Sequence, residues 1–173
     1  MLVQIPYNRQ AAVAYANQWA LGRNPKYKNF DGMGGDCTNF ASQCLVAGCG
    51  IMNPTPQTGW FYYSLSNRAP AWTGVEELYR FLTTNARNPG AVGATGPYAT
   101  ETRDPRQIQP GDLVQLGDST GHFYHTPIIT RIAGPNQIFV AAHTFDTKDK
   151  LLSSYTASQI RFLHIEGCRK WQS

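Results

Sequence analysis

Gly34-Gly35-Asp36-Cys37-Thr38-Asn39-Phe40-Ala41-Ser42-Gln43-Cys44 is the stretch from which the fold is read. Two glycines permit a tight turn, and Asp36 is a strong helix N-cap. The residues that follow put Phe40, Ala41, Cys44, Leu45 and Gly48 on one apolar stripe at helical spacing. A helix is therefore expected from Asp36 or Cys37 to about Gly48. Cys37 then sits in its first turn, where unpaired N–H groups and the macrodipole favour a thiolate. The same N–H groups suit an oxyanion formed beside the sulfur. The Asp36 carboxylate works against this by raising the thiol pKa, so the chemistry calls for a nearby histidine. A cysteine on a helix is more often a small buried residue than a nucleophile. Cys44 illustrates that: it lies on the core stripe about 10 Å further along, out of disulfide reach.

Working outward, Asn8 can cap a helix running to about Gly22, with Val13, Ala16, Trp19 and Ala20 at helical spacing; Gly22 and Pro25 stop it. Asn24 to Gly35 reads as a surface loop. Beyond the central helix, Asn53 to Pro70 holds three prolines and the aromatic run Trp60-Phe61-Tyr62-Tyr63, and looks irregular. Thr73 can cap a third helix from Gly74 to about Ala86, with Val75, Leu78, Phe81 and Leu82 inward. A Gly/Pro-rich connection is expected from Asn88 to Pro110. After it the period changes, and Asp112–Leu116, His125–Arg131, Gln137–Thr144 and Gln159–Glu166 read as strands. Helices first and strands afterwards predict an α+β domain, N-terminal helices packed on a C-terminal antiparallel sheet, as one unit over residues 1–173.

Composition agrees. The 173 residues are 42% apolar, enough for a core, and only 15% charged. Sixteen glycines and eleven prolines point to many loops. Fifteen Lys and Arg against eleven Asp and Glu give a net charge of +4 without a basic block. That excludes the clustered stripe of a nucleic-acid binder. No apolar run reaches the ~18 residues of a membrane span, so no insertion is expected. Met1-Leu-Val-Gln-Ile-Pro6 lacks the charged and apolar regions of a secretory signal. Localisation stays open between a cytoplasmic protein and a domain of a secreted or wall-associated one. Four cysteines without a Cys-x-x-Cys pair are too sparse for a disulfide scaffold or a structural zinc site, and neither cofactor nor metal is expected.

Two histidines raise the standing of Cys37. His125 opens one strand and His143 closes the next. If Ala133–Pro135 forms a three-residue loop, Ile132 pairs with Asn136 and, counting outward, His125 faces His143 on one side of the sheet, their Cβ atoms ~5 Å apart. A loop one residue shorter or longer puts the rings on opposite faces. In the paired arrangement His125 is the base and acid and His143 the group that orients it. Asp146 is the fallback third member. His122 in a Gly-flanked loop and His164 among Phe162, Leu163 and Ile165 read as ordinary histidines, and Asn39 as a brace for the helix start. Gly111-Asp112 reads as a turn. Trp60 and Trp72, with Asp36, are the candidates for binding substrate.

These residues resemble a known family. Tyr7–Ala12, Asn24–Tyr27, the Gly34–Cys44 block, Ala71–Thr73, Gly111–Val114, His125–Thr130 and Ala142–Thr144 are similar to the bacterial putative amidase domain, over about Tyr7 to Ile165. That family is grouped with papain-like cysteine hydrolases, including NlpC-type and CHAP-type cell-wall peptidases. The resemblance implies a papain-like fold, Cys37 as nucleophile with His125 and His143, and hydrolysis of an amide through a thioester. It also implies a peptide or peptidoglycan-like amide as substrate. The papain-like glutamine six residues before the nucleophile is here Asp31, which leaves Tyr27 or Asn29 as candidate oxyanion donors. Two other readings stand beside it: a non-catalytic wall- or peptide-binding module using the aromatic groove, and Cys37, His125 and His143 as metal ligands. The oligomeric state and the bond cleaved stay open.

Overall fold

A computed structural model describes residues 1–173. The central element is helix α2, Cys37–Cys49, in which every residue except Val46 and Ala47 is buried. The single apolar stripe expected from the sequence is too narrow, because neighbours enclose the helix on several sides. Its polar residues are buried with partners, as buried polar groups must be. Ser42 donates to Trp72 O and accepts Trp60 Nε1–H, Asn39 Oδ1 accepts Trp72 Nε1–H, and Gln43 accepts the Tyr15 hydroxyl. Left-handed Gly50 closes the helix, the usual role of glycine at a C-terminus.

Around α2 pack α1 (Arg9–Trp19), α3 (Pro70–Thr73) and α4 (Val75–Arg87). Asn8 caps α1 as expected, accepting Ala11 N–H at 3.0 Å. Gly74 rather than Thr73 precedes α4, where Glu76 and Glu77 in the first turn favour the helix dipole.

The other layer is a curled eight-stranded antiparallel sheet. Its main path runs β1 (Leu2–Ile5), β10 (Gln159–Trp171), β5 (Leu113–Gly117), β7 (Ile128–Gly134), β8 (Gln137–Ala142), β9 (Thr147–Leu151). β4 (Gly96–Thr102) adds to β10 and β6 (Phe123–His125) to β5; a small hairpin, β2 (Tyr62–Ser64) with β3 (Asn67–Arg68), lies apart. The architecture is α+β as predicted, with two amendments. The sheet begins at the N-terminus, since β1 pairs with the far end of β10. The supposed Gly/Pro connection contains β4, which pairs with β10 from Gly96 to Thr102. A seven-residue strand without clear alternation is stabilised by its neighbour's ladder rather than by its own pattern.

Strand alternation sorts two cores. Leu113, Ile128, Ala141, Leu163 and Ile165 face the helices together with Phe40, Cys44 and Leu45. Val114, Leu116, Ile129, Ile138, Val140, Leu152 and Phe162 form a smaller cluster of their own, as expected when neighbouring side chains point to opposite faces. No helix is long and apolar enough to cross a membrane.

The β7–β8 hairpin corrects the expected register. Gly134 pairs with Gln137, so the loop is the two residues Pro135 and Asn136. Bulges between Ile129 and Arg131 and between Ile132 and Gly134 shift the ladder, which ends with Ile128 opposite Ala141. Continued outward, that register sets Thr126, not His125, against His143. A one-residue slip reverses which face a side chain meets.

Candidate active site

Cys37 begins α2 and lines a cleft with Gly34, Gly35, Thr73, Gly74, Glu77, His122 and Tyr124. The residue is 7% exposed, while Cys44 and Cys168 are fully buried, and all four cysteines are free thiols. Gly34 and Gly35 have φ of 97° and 105°, the left-handed backbone that lets the loop turn into the helix. Burial pushes the Cys37 thiol up, and the neighbouring Asp36 adds to this. N–H groups of Thr126 and Thr38 and the Thr38 hydroxyl pull it partly back. The sulfur lies 3.8 Å from Thr38 Oγ1. The resting residue is therefore a neutral thiol rather than the thiolate that the helix start alone suggests.

Thr126 fixes the relation between helix and sheet at this point. Its hydroxyl meets Thr38 Oγ1 at 3.1 Å. His125, one residue earlier, turns to the other side and lines a cleft with Leu116, Tyr124, Phe145, Lys150 and Tyr155. No hydrogen bond joins either imidazole to the Cys37 thiol. Burial, and then the charge of Lys150, hold His125 down at about 4, so the ring is neutral at pH 7. The two clefts share Tyr124.

The unfolded chain takes up the His125 proton below 6.5, but the folded protein does so only near 4. Stability therefore rises with pH across that window, by on the order of 2–3 kcal/mol from this residue. His125→Gln is expected to flatten the slope of urea-unfolding stability between pH 4 and 6.5. An unchanged slope would show that the ring is not buried and neutral.

His143 occupies a different place from the one expected. It does not orient His125. Its Nδ1 is 2.6 Å from Asp36 Oδ2 and its Nε2 is 2.8 Å from Trp19 O, while the ring stacks on Phe40 at 3.9 Å. Nε2 also faces Arg23 Nη1 at 3.2 Å, so both ring nitrogens are engaged within this cluster. Arg23 closes the group: its Nε is 3.2 Å from Asp36 Oδ2, and its terminal nitrogens bind Asp146 and Asp31. Asp146, the fallback third member, is thereby an Arg23 partner.

Asp36 is fully buried. Burial pushes its carboxyl up, but hydrogen bonds from His143, Phe30 N–H and Asn39 outweigh it, and the net effect is a lowered value. Its side chain does not cap the helix; it points back into this cluster, with Asn39 as the brace. Asp36 is thus sealed from substrate. Trp60 and Trp72 are also corrected: both are fully buried, stacked in the core with ring centroids 4.8 Å apart, and line no groove. Burying their large apolar faces against α2 outweighs displaying them. Tyr27 packs on Tyr62 and Trp72, and neither it nor Asn29 lines the Cys37 cleft.

Four residues at the clefts went unremarked in the sequence: Tyr124, Lys150, Tyr155 and exposed Phe145. His122, read as an ordinary loop histidine, in fact lines the Cys37 cleft. Cleft walls assembled from distant strands leave no local spacing to find. The metal reading fails for a physical reason: both nitrogens of His143 are engaged, and no three His, Cys, Asp or Glu side chains converge to hold an ion. His164 forms a separate pair with Asp112 at 2.7 Å, which also binds Arg9. That carboxylate ties α1 to the sheet.

The fold and site together define an α+β domain whose buried central helix opens on a cysteine beside an antiparallel sheet. The family model described as Putative amidase domain matches residues 6–165, and the chain belongs to that family. Membership points to amide hydrolysis and supports a hydrolase. The chain is 32% identical over 168 residues to the uncharacterized protein YhbB of Bacillus subtilis (strain 168). The match covers 92% of this chain and 50% of YhbB, so the chain spans about half the length of that relative. No solved structure matches the chain significantly.

Proposed function

We propose that the protein hydrolyses an amide or peptide bond with Cys37 as nucleophile and His125 as general base and acid, in the manner of papain-like cysteine hydrolases. The observation that carries this reading is the junction at Thr126. Its hydroxyl meets that of Thr38, the residue after Cys37, while the adjacent residue, His125, presents a neutral imidazole that no protein hydrogen bond engages. In this reading a neutral thiol gives its proton to a neutral imidazole as it attacks, rather than beforehand.

The steps balance. The Cys37 sulfur bonds to the carbonyl carbon as its proton passes to His125, and the oxyanion lies at the start of α2, where N–H groups are free. The C–N bond breaks, and His125 returns the proton to the departing amine. Water then attacks the thioester, giving its proton to His125, and the acid leaves as the thiol is restored. His143 and Asp36 serve as positioning residues, since their contact anchors the residue immediately before the nucleophile.

Cell-wall peptides are the proposed substrates, supported by the resemblance to NlpC-type and CHAP-type peptidases and by the positive net charge. When the protein meets digested cell wall and is quenched in acid, the peptide containing Cys37 is expected to gain the mass of an acyl group. Absence of any adduct, with ligand binding undiminished in Cys37→Ala, would favour the non-catalytic binding module.

A further inference from the structure

The cleft lined by His125 contains three features that the reaction itself does not use. Lys150 forms no ion pair, and its ammonium lies 4.0 Å from the centroid of the Tyr155 ring. A lysine held over an aromatic face and left without a carboxylate is an available anion site. Phe145 is 92% exposed at the rim of the same cleft. It is carried there by a strained turn, because Thr144 and Phe145 have φ of 57° and 62°. Two successive non-glycine residues in the left-handed region cost about 1 kcal/mol or more each.

That turn is held from both sides. The Thr144 hydroxyl accepts Asp36 N–H at 2.8 Å, and the Thr147 hydroxyl donates to Phe145 O at 2.7 Å. The turn presenting an exposed aromatic ring is therefore tied to the residue before Cys37. Strain and an exposed phenyl ring both oppose stability, and a ligand lying against the ring would offset them. On the other side of Tyr124, the Cys37 cleft carries Glu77, which also forms no ion pair, and Glu76, which pairs with Arg161 at 2.9 Å. The Lys150 cleft is thus basic and the adjoining Cys37 cleft acidic, with Tyr124 shared between them. An anionic group is drawn to the Lys150 end and repelled from the Glu77 end.

We propose that the Lys150 cleft is the leaving-group subsite for an amide whose amine half is an α-amino acid with a free carboxylate and an apolar side chain. Lys150 takes the carboxylate, and Phe145 with Tyr155 takes the side chain. The assignment to the leaving-group half rests on the function proposed above, because His125, which protonates the departing amine, lines this cleft and Cys37 lines the other. Substrates cut at a carboxyl-terminal apolar residue follow from it. Blocking that carboxylate as an amide removes the charge that Lys150 binds.

The test uses Cys37→Ala protein, which binds without turnover, and N-acetyl-L-phenylalanine against its carboxamide as probes. Calorimetric titration is expected to give about tenfold tighter binding of the acid, the scale of one charge-assisted contact. Lys150→Met is expected to remove the preference and Lys150→Arg to keep it. Phe145→Ala is expected to weaken both probes several-fold. In histidine-labelled protein, the His125 resonances should shift with the acid and not with the carboxamide. Equal affinity for the two probes, or a preference that survives Lys150→Met, would overturn the subsite. Because no turnover is measured, a carboxylate preference alongside inactive wild-type protein would remove only the catalytic reading, and turnover without the preference only the subsite.

Discussion

Cys37→Ala protein is expected to lose amide turnover by more than about 10⁴-fold while its urea midpoint stays close to the parent's. The nucleophile forms the covalent bond on which both halves of the reaction depend, so no other group substitutes for it. Its side chain is small and at the edge of the core, and its loss leaves the apolar contacts of Phe40, Cys44 and Leu45 intact. The histidines divide the outcome further. His125→Ala should cost about 10²–10⁴-fold in kcat, the range for a general acid and base. His122→Ala should stay within about tenfold, because an exposed loop ring is replaceable by water in proton transfer. Turnover surviving in Cys37→Ala would end the thioester mechanism. A larger loss at His122 than at His125 would move the base to the cleft that His122 lines.

The second large effect is on stability. Asp36→Ala is expected to destabilise the fold by about 3–5 kcal/mol in urea unfolding, the cost of leaving a buried charge without its partner. Three hydrogen-bond partners, His143, Asn39 and the Phe30 N–H, converge on that carboxylate, and Arg23 pairs with it. Removing it strands them in a fully buried site. His143→Ala should approach the same cost from the other side and also open a void against Phe40. The double substitution should cost less than the two singles added, because each already breaks the shared contact. The pH sign follows from the lowered Asp36 value. Its contribution is complete above the ordinary 3.8 and is lost as pH falls through the lower folded value. Additive singles, each under about 1 kcal/mol, would show that the pair is solvated.

Much of this site was legible in the chain. The glycine pair and the apolar stripe after Cys37 point to a helix start at the observed residue, because backbone freedom and hydrophobic period are local, although the Asp36 side chain turns away from the cap. The identity of Cys44 as core followed from the same periodicity. The relation between His125 and His143 was not legible. It depended on a loop one residue shorter than assumed and on two bulges, and neither leaves a signature in a strand of alternating residues. The tryptophans were misplaced for a related reason. An aromatic run in a proline-rich segment reads alike whether it covers a core or lines a groove, and only the arrival of α2 beneath Trp60 and Trp72 decides it. β4 shows the same limit at the level of an element, since its ladder partners lie 60 to 73 residues away.

What the amino-acid order determined alone was the set of local decisions: where the helices begin, which cysteine opens one of them, and that the second half of the chain builds an antiparallel sheet. Those outcomes rest on capping, φ preferences and hydrophobic period, each acting within a turn or two. Tertiary structure decided which side chains meet. It joined His143 to Asp36 and Trp19, turned His125 into a cleft with Lys150 and Tyr155, and buried Trp60 and Trp72. These pairings are set by strand register and by the fit of α2 into its surroundings, where a displacement of one residue exchanges the two faces of a sheet.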